Sequence, residues 1–279
     1  MKFSYIIIIM FFAVSCSQWH EHKQNTEKEI ILSELYNRDF QQIIDSAKVK
    51  GSILVYDPQT KTSYSNDYSR CDSGFLPAST FKIANSIIAL ETGVVENDST
   101  VFIWNGEKRR LTVWEQDLTF RDAFQVSCVP CYQEIARKIG PKRMNEYLDK
   151  LNYGIMMVDS SNIDKFWLEG ESRISMKQQM DFITRFYNKE LSVSARTWNI
   201  IRSMMVLEKN DNYIFSGKTG WSIRNGNNNG WFVGYLETGS SVYFIVTNIE
   251  PREAFNIDLF PKIRTQISLE AFKRLNIIK

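Results

Sequence analysis

Two short stretches carry residues suited to attacking and stabilising an acyl centre. In Leu76-Pro77-Ala78-Ser79-Thr80-Phe81-Lys82 a serine and a lysine stand three apart, and at the start of a helix that spacing puts both on one face. The Ser79 N–H has no intrahelical partner there and can point at a substrate oxygen. A serine needs a base to become a nucleophile, and Lys82 is the nearest candidate. Further on, Phe215-Ser216-Gly217-Lys218-Thr219-Gly220-Trp221 presents an ammonium and a hydroxyl to an anionic group. Its Gly220 lets a substrate approach the backbone closely. Between the two, Ser127-Cys128-Val129 supplies another hydroxyl. Each motif alone is common. Their order is more specific, with Ser127 about 45 residues after Lys82 and Lys218 about 90 beyond that.

The residues that are missing narrow the chemistry further. Among 279 residues there are only two histidines, His20 and His22, both in a polar stretch near the N-terminus. That removes a Ser-His-Asp triad, a Cys-His pair and HExxH zinc chemistry from the body of the chain. A base must therefore be Lys, Asp, Glu or Tyr. His20-Glu21-His22 reads as a solvated tail, and no metal is expected. Lys and Arg total 34 against 32 Asp and Glu, a net charge of +2, so no nucleic-acid surface is expected. A hydrophobic fraction of 43% and an aromatic fraction of 13% suit a globular protein with a substantial core.

The elements that must hold these motifs follow from periodicity and turn residues. After Met1-Lys2, an apolar run from Tyr5 to Val14 is too short for a bilayer, which needs roughly 20 residues. With small residues at Ala13 and Ser15 it reads as a secretory signal over 1–16, and the expected location is the periplasm. Ala13-Val14-Ser15-Cys16 is similar to a lipoprotein cleavage box with alanine in place of the usual leucine. Cys16 is either lipidated, the one membrane attachment expected, or discarded by ordinary cleavage. Helical patterns occupy 29–47, 79–91, 141–151, 175–187 and 261–275. Strands are predicted at 51–56, 61–65, 213–217, 231–236 and 242–248, with 225–230 as a polar hairpin connector.

An α+β fold is implied: one antiparallel sheet built from both chain ends and flanked by helices (26–68 and 209–279), plus a mainly helical lobe (69–208). The site would lie between the lobes of a single unit. Cys71, Cys128 and Cys131 remain. Cys128-Val129-Pro130-Cys131 has redox CxxC spacing, and an oxidising compartment would permit a disulfide. No neighbouring strand–helix pattern marks a thioredoxin unit, however, so the expectation is of small buried core cysteines, with their disulfide state open.

Taken jointly, S-x-x-K, S-x-V and K-T-G resemble the active-site serine penicillin-recognising superfamily. Within it the chain is similar to the class D (oxacillinase-type) β-lactamases. Pro77-Ala78-Ser79-Thr80-Phe81-Lys82, Trp114-Glu115-Gln116-Asp117-Leu118-Thr119, Tyr153-Gly154, Phe166-Trp167-Leu168 and Trp231-Phe232-Val233-Gly234 all carry the likeness. It extends from about residue 30 to the end. Two departures are Ile155, where the family has asparagine, and Cys131, where relatives are commonly apolar.

The resemblance implies hydrolysis of a small-molecule β-lactam through a Ser79 acyl-enzyme, with no cofactor beyond CO2 or bicarbonate. No glutamate segment of the class A type lies between Ser127 and Lys218, and Glu169 reads as a surface anchor. The implied base is Lys82 carrying an N-carboxylate, which needs an amine kept neutral by burial. Phe81, Val129, Trp167 and Leu168 are expected as walls, with the Trp167 indole N–H bonding the carbamate. The N–H groups of Ser79 and Trp221 would form the oxyanion hole. Ser127 would relay a proton beside Lys218, and Thr219, Gly220, Val129 and Arg264 would bind substrate. Arg252 competes with Arg264 for the carboxylate. Rival readings are a β-lactam sensor that stays acylated, a cell-wall transpeptidase or carboxypeptidase, and an inert lipoprotein that binds an anion. The S-x-V valine and the intact catalytic set count against them, and oligomeric state is unreadable.

Overall fold

Strands from both ends of the chain meet in one sheet. The computed structural model describes residues 36–279; the signal segment, Cys16, His20, His22 and the start of the first helix lie outside them. In order, the elements are α1 (36–46), β1 (Val49–Asp57), β2 (Thr62–Ser65), α2 (Tyr68–Asp72), a 3-10 turn (Ala78–Phe81), α3 (Lys82–Glu91), β3 (Val101–Phe102) and β4 (Leu118–Thr119). Then come α4 (Phe120–Gln125), α5 (Val129–Ile139), α6 (Pro141–Leu151), α7 (Met176–Tyr187) and α8 (Ala195–Met204). The chain ends with β5 (Val206–Lys209), β6 (Ile214–Arg224), β7 (Asn227–Thr238), β8 (Ser241–Pro251) and α9 (Phe260–Arg274). The sheet order is β2-β1-β8-β7-β6-β5, every neighbouring pair antiparallel. The mixed α+β architecture is the expected one.

Alternation along β7 shows how the sheet is buried on both faces. Trp231, Val233 and Tyr235 join the core under the helices, with Ile87, Tyr132 and Phe182. Phe232 and Leu236 point the other way, against Phe40 of α1 and Phe260 and Phe272 of α9. A strand covered on both faces reads as a continuous apolar run, which is why its centre is legible.

Its ends are not. β6 and β7 continue past the apolar runs into exposed polar residues, and Arg224 pairs with Asn227. The predicted connector 225–230 thus shrinks to Asn225-Gly226, both at positive φ (50° and 77°), the conformation a two-residue hairpin turn requires.

The cysteines are buried, as expected, and the pairing that the sequence leaves open is defined. Cys128 and Cys131 form a disulfide, and only Cys71 among the described cysteines is free. Cys128 caps α5 and Cys131 lies in that helix's first turn, so helical geometry alone brings their Cα atoms to 5.5 Å, within bridging range. No thioredoxin-like unit is needed for that. The Cys71 thiol sits 3.3 Å from Ser65 Oγ and 3.5 Å from Ser52 Oγ, and burial pushes its pKa up, which makes it unreactive.

Candidate active site

Ser79 sits on a 3-10 turn rather than in the α-helix itself, and the turn is held from several sides. Ala78 takes φ +50°, a left-handed conformation that costs a non-glycine residue about 1–2 kcal/mol. Its N–H donates to Trp167 O at 2.9 Å, and Trp231 Nε1 donates to Leu76 O at 2.9 Å. Behind the turn, Thr80 Oγ1 donates to Pro77 O at 2.6 Å and accepts from Gln179 Nε2 at 2.8 Å. The result sets Ser79 Oγ 3.0 Å from Lys82 Nζ.

Lys82 is wholly buried, its Nζ 4.9 Å from the Tyr132 ring centre. Burial lowers its amine pKa to about 7, because desolvation penalises the ammonium form. Trp167 is buried as well, stacked on Phe81 with ring centres 5.4 Å apart. Its indole N–H has no hydrogen-bond partner among the described residues. An orphaned buried donor costs about 1–3 kcal/mol, so an acceptor reaching it would be strongly favoured.

Ser127 occupies the left-handed position that closes α4. Its φ is +54°; its N–H donates to Phe124 O at 3.2 Å and the Cys128 N–H to Ala123 O at 2.8 Å. Those two bonds define a Schellman closure, in which glycine is usual at the position Ser127 holds. A serine there gives up backbone comfort and gains a hydroxyl, which lies 2.5 Å from Lys218 Nζ. Nothing in the sequence marks that strain.

Lys218, Thr219, Gly220 and Trp221 lie on β6 where its outer edge is open. β5 pairs only as far as Ser216, after which the Gly217 N–H donates to Met205 O at 2.9 Å. By the two-residue period of a strand, the Thr219 and Trp221 N–H groups face the same unpaired edge. The Ser79 turn packs against this stretch: a Cβ on Gly220 would stand 3.0 Å from Pro77 O and 3.2 Å from Thr80 N. A larger residue would need the turn to give by a few tenths of an ångström. Arg264, from α9, donates to Gly220 O at 2.5 Å through Nη1. Burial lowers its pKa to about 10, which leaves it charged at neutral pH. Arg252 instead donates to Val49 O at 2.9 Å and pairs with Asp45, so the structure brings Arg264, not Arg252, to the Lys-Thr-Gly strand.

The electrostatics are one-sided. Lys82, Lys218 and Arg264 are buried, and no Asp or Glu among the described residues is. Burial, followed by the nearby Lys82 and Arg264 charges, holds Lys218 well below the ordinary lysine range. Buried cations without a carboxylate partner are costly, and such a site favours an anion.

Val129 and Leu168, expected as walls, are half-buried and pack against the core cluster that holds Phe81, Trp167 and Tyr132. The Glu169 carboxylate is exposed and paired with Lys165 at 3.3 Å, the surface role expected of it. Ile155 is 63% exposed, and its N–H and C=O pair with Arg173, so its side chain takes no part in the site. Tyr132, Gln179 and the strained Ala78 were missed; for Tyr132 the only signal was its position one helical turn beyond Val129 on α5.

Residues 50–266 match the family described as penicillin binding protein transpeptidase domain. β-Lactamase OXA-10 of Pseudomonas aeruginosa is 40% identical over 235 residues, 83% of this chain and 86% of that protein. β-Lactamase OXA-48 of Klebsiella pneumoniae is 36% identical over 242 residues, 87% and 89% of the two chains. The class D β-lactamase YbXI from Nostoc superposes with a TM-score of 0.82 at 42% identity, covering 86% of this chain and 99% of that one.

Proposed function

The chain belongs to the class D β-lactamases, within the penicillin-binding transpeptidase-domain family, and from that premise we propose how its own residues open a β-lactam ring. The enzyme is a serine hydrolase of the lactam amide. The observation that carries the mechanism is the group of three buried basic side chains, Lys82, Lys218 and Arg264, around Ser79, with no buried Asp or Glu among the described residues.

Lys82, half neutral near pH 7, attacks CO2 through Nζ and releases one proton to solvent. The orphaned Trp167 N–H is the donor that fits the carboxylate so formed. Lys82, thus N-carboxylated, takes the Ser79 proton while Oγ bonds to the lactam carbonyl carbon. The oxyanion accepts from the Ser79 and Trp221 N–H groups, donors typically worth about 10²–10³ in rate each. The ring C–N bond then breaks. Its nitrogen takes a proton from Ser127, which is resupplied by Lys218 at 2.5 Å. The proton that the Lys82 carbamate took from Ser79 replaces the one Lys218 gave up, which frees the carbamate to deprotonate a water. The water oxygen bonds to the acyl carbon, the acyl–Oγ bond breaks, and Ser79 Oγ takes the proton back. Thr219 and Arg264 hold the substrate carboxylate beside Gly220, and Val129 borders the substrate. A planar guanidinium suits that contact.

Mass spectrometry after mixing with penicillin tests this function. The expected course is a transient adduct on Ser79 and rapid return to the free mass, with no adduct in Ser79→Ala and slow acylation with scarcely any turnover in Lys82→Ala. A wild-type adduct that persists would instead mean a sensor. For location, the basic start and the apolar run from Tyr5 to Val14 support export to the periplasm with a lipid on Cys16. Metabolic palmitate labelling, lost in Cys16→Ser, is the expected result; an unlabelled wild type would mean plain cleavage.

A further inference from the structure

We propose that the Cys128–Cys131 disulfide is a positioning device for the Ser127 hydroxyl, and through it for proton delivery to the leaving nitrogen. The inference rests on the relay role given to Ser127 above. Ser127 is held at φ +54° in a closure that prefers glycine, and release of that strain would swing its hydroxyl away from Lys218. The next residue is what prevents release.

Cys128 is fixed in three directions. Its N–H donates to Ala123 O at 2.8 Å and ends α4, its carbonyl accepts from Tyr132 N–H at 3.3 Å and starts α5, and its sulfur is bonded to Cys131. A helix N-cap ordinarily uses a side-chain oxygen. Here the capping atom is sulfur, accepting from the Cys131 N–H at 3.3 Å, a weak bond that the covalent link reinforces. The hinge between α4 and α5 is thereby closed immediately after the catalytic serine.

Three features separate this from general stabilisation. The ring closes across a sequence separation of only 3, so it removes little freedom from the unfolded chain. The Tyr132 ring, which faces Lys82, has a side-chain anchor outside the bridge, its hydroxyl 2.7 Å from Ser86 Oγ. The bridge is also buried, with Cys128 1% and Cys131 8% exposed, and cannot be a surface staple.

The test compares Cys128→Ala/Cys131→Ala and the space-filling Cys128→Ala/Cys131→Val with wild type and Ser127→Ala. Acylation and deacylation rate constants are measured separately on a penicillin at saturating bicarbonate. Acylation should fall roughly 10–100-fold in both double variants, the scale expected when a catalytic group is displaced by up to about 1 Å. Deacylation and the half-saturating bicarbonate concentration should stay unchanged. Unchanged acylation in the double variants, with Ser127→Ala slow, would overturn the positioning role alone. Normal acylation in Ser127→Ala would instead overturn the relay on which it rests. Equal loss of both steps, or failure of both double variants to fold, would show that the bridge serves the fold and would overturn the proposal too.

Discussion

Replacing Trp167 by phenylalanine removes one hydrogen-bond donor while leaving most of the ring packing in place. The aromatic ring can still stack on Phe81 and meet Phe166 edge-on, contacts that stand at 5.4 Å and 5.1 Å between ring centres. What is lost is the buried N–H without a protein partner. A hydrogen bond to a charged group is worth about 1.5–3 kcal/mol, equivalent to roughly 10–150-fold in an equilibrium constant. Trp167→Phe should therefore hold CO2 on Lys82 that much more weakly. The assay is nitrocefin turnover in degassed buffer, titrated with bicarbonate. The half-saturating concentration should rise by roughly that factor, with turnover recovering at high bicarbonate. An unchanged half-saturation point would refute the role of the indole N–H. Loss that no bicarbonate restores would assign the tryptophan to packing instead.

Other consequences follow from the same site. If Lys82 is carboxylated as proposed, only its neutral amine captures CO2, and with a pKa lowered to about 7 activity at limiting CO2 should fall about tenfold per pH unit below neutrality. Excess bicarbonate should offset that loss, and a flat profile would contradict the lowered pKa. In CO2-free buffer the folded pKa of about 7 lies below the unfolded value. The unfolded chain then binds more protons between roughly pH 7 and 10.4, and stability should rise with pH across that window. Lys82→Met removes a burial penalty of at most roughly 5 kcal/mol. It should melt several degrees higher than wild type at pH 6–7, a gap that closes by pH 10, as calorimetry would show. Gly220→Ala places a Cβ 3.0 Å from Pro77 O, so the Ser79 turn must shift by a few tenths of an ångström. A fall of about tenfold in kcat/KM is expected, and wild-type kinetics would mean that the turn does not rest on β6.

Much of the site was legible because its chemistry is local. Ser79 and Lys82 share a turn, Lys218 through Trp221 share a strand, and the lack of histidine in the body of the chain left few candidates for a base. The sheet centre was legible for a similar reason, since Trp231 to Leu236 are buried on both faces. What escaped depends on tertiary context. Asn227 to Asn229 read as loop because polar residues at exposed strand ends carry no apolar pattern, yet they pair with Ser222 to Arg224. The left-handed Ser127 breaks the glycine preference of a helix closure, and such violations arise where function outweighs local propensity. The pairing of Cys128 with Cys131 was not legible because it depends on a helix beginning between them, not on a redox fold. Tyr132 reaches Lys82 only through the packing of α5 on α3.

For Lys82 to serve as the base proposed, burial must keep it neutral enough to be carboxylated. Carbon-13 NMR of the whole protein equilibrated with labelled bicarbonate near neutral pH tests it most directly. A carbamate resonance should appear in wild type, be absent in Lys82→Ala, and fade as the pH falls below about 7. A fully active enzyme showing no such resonance would contradict the account.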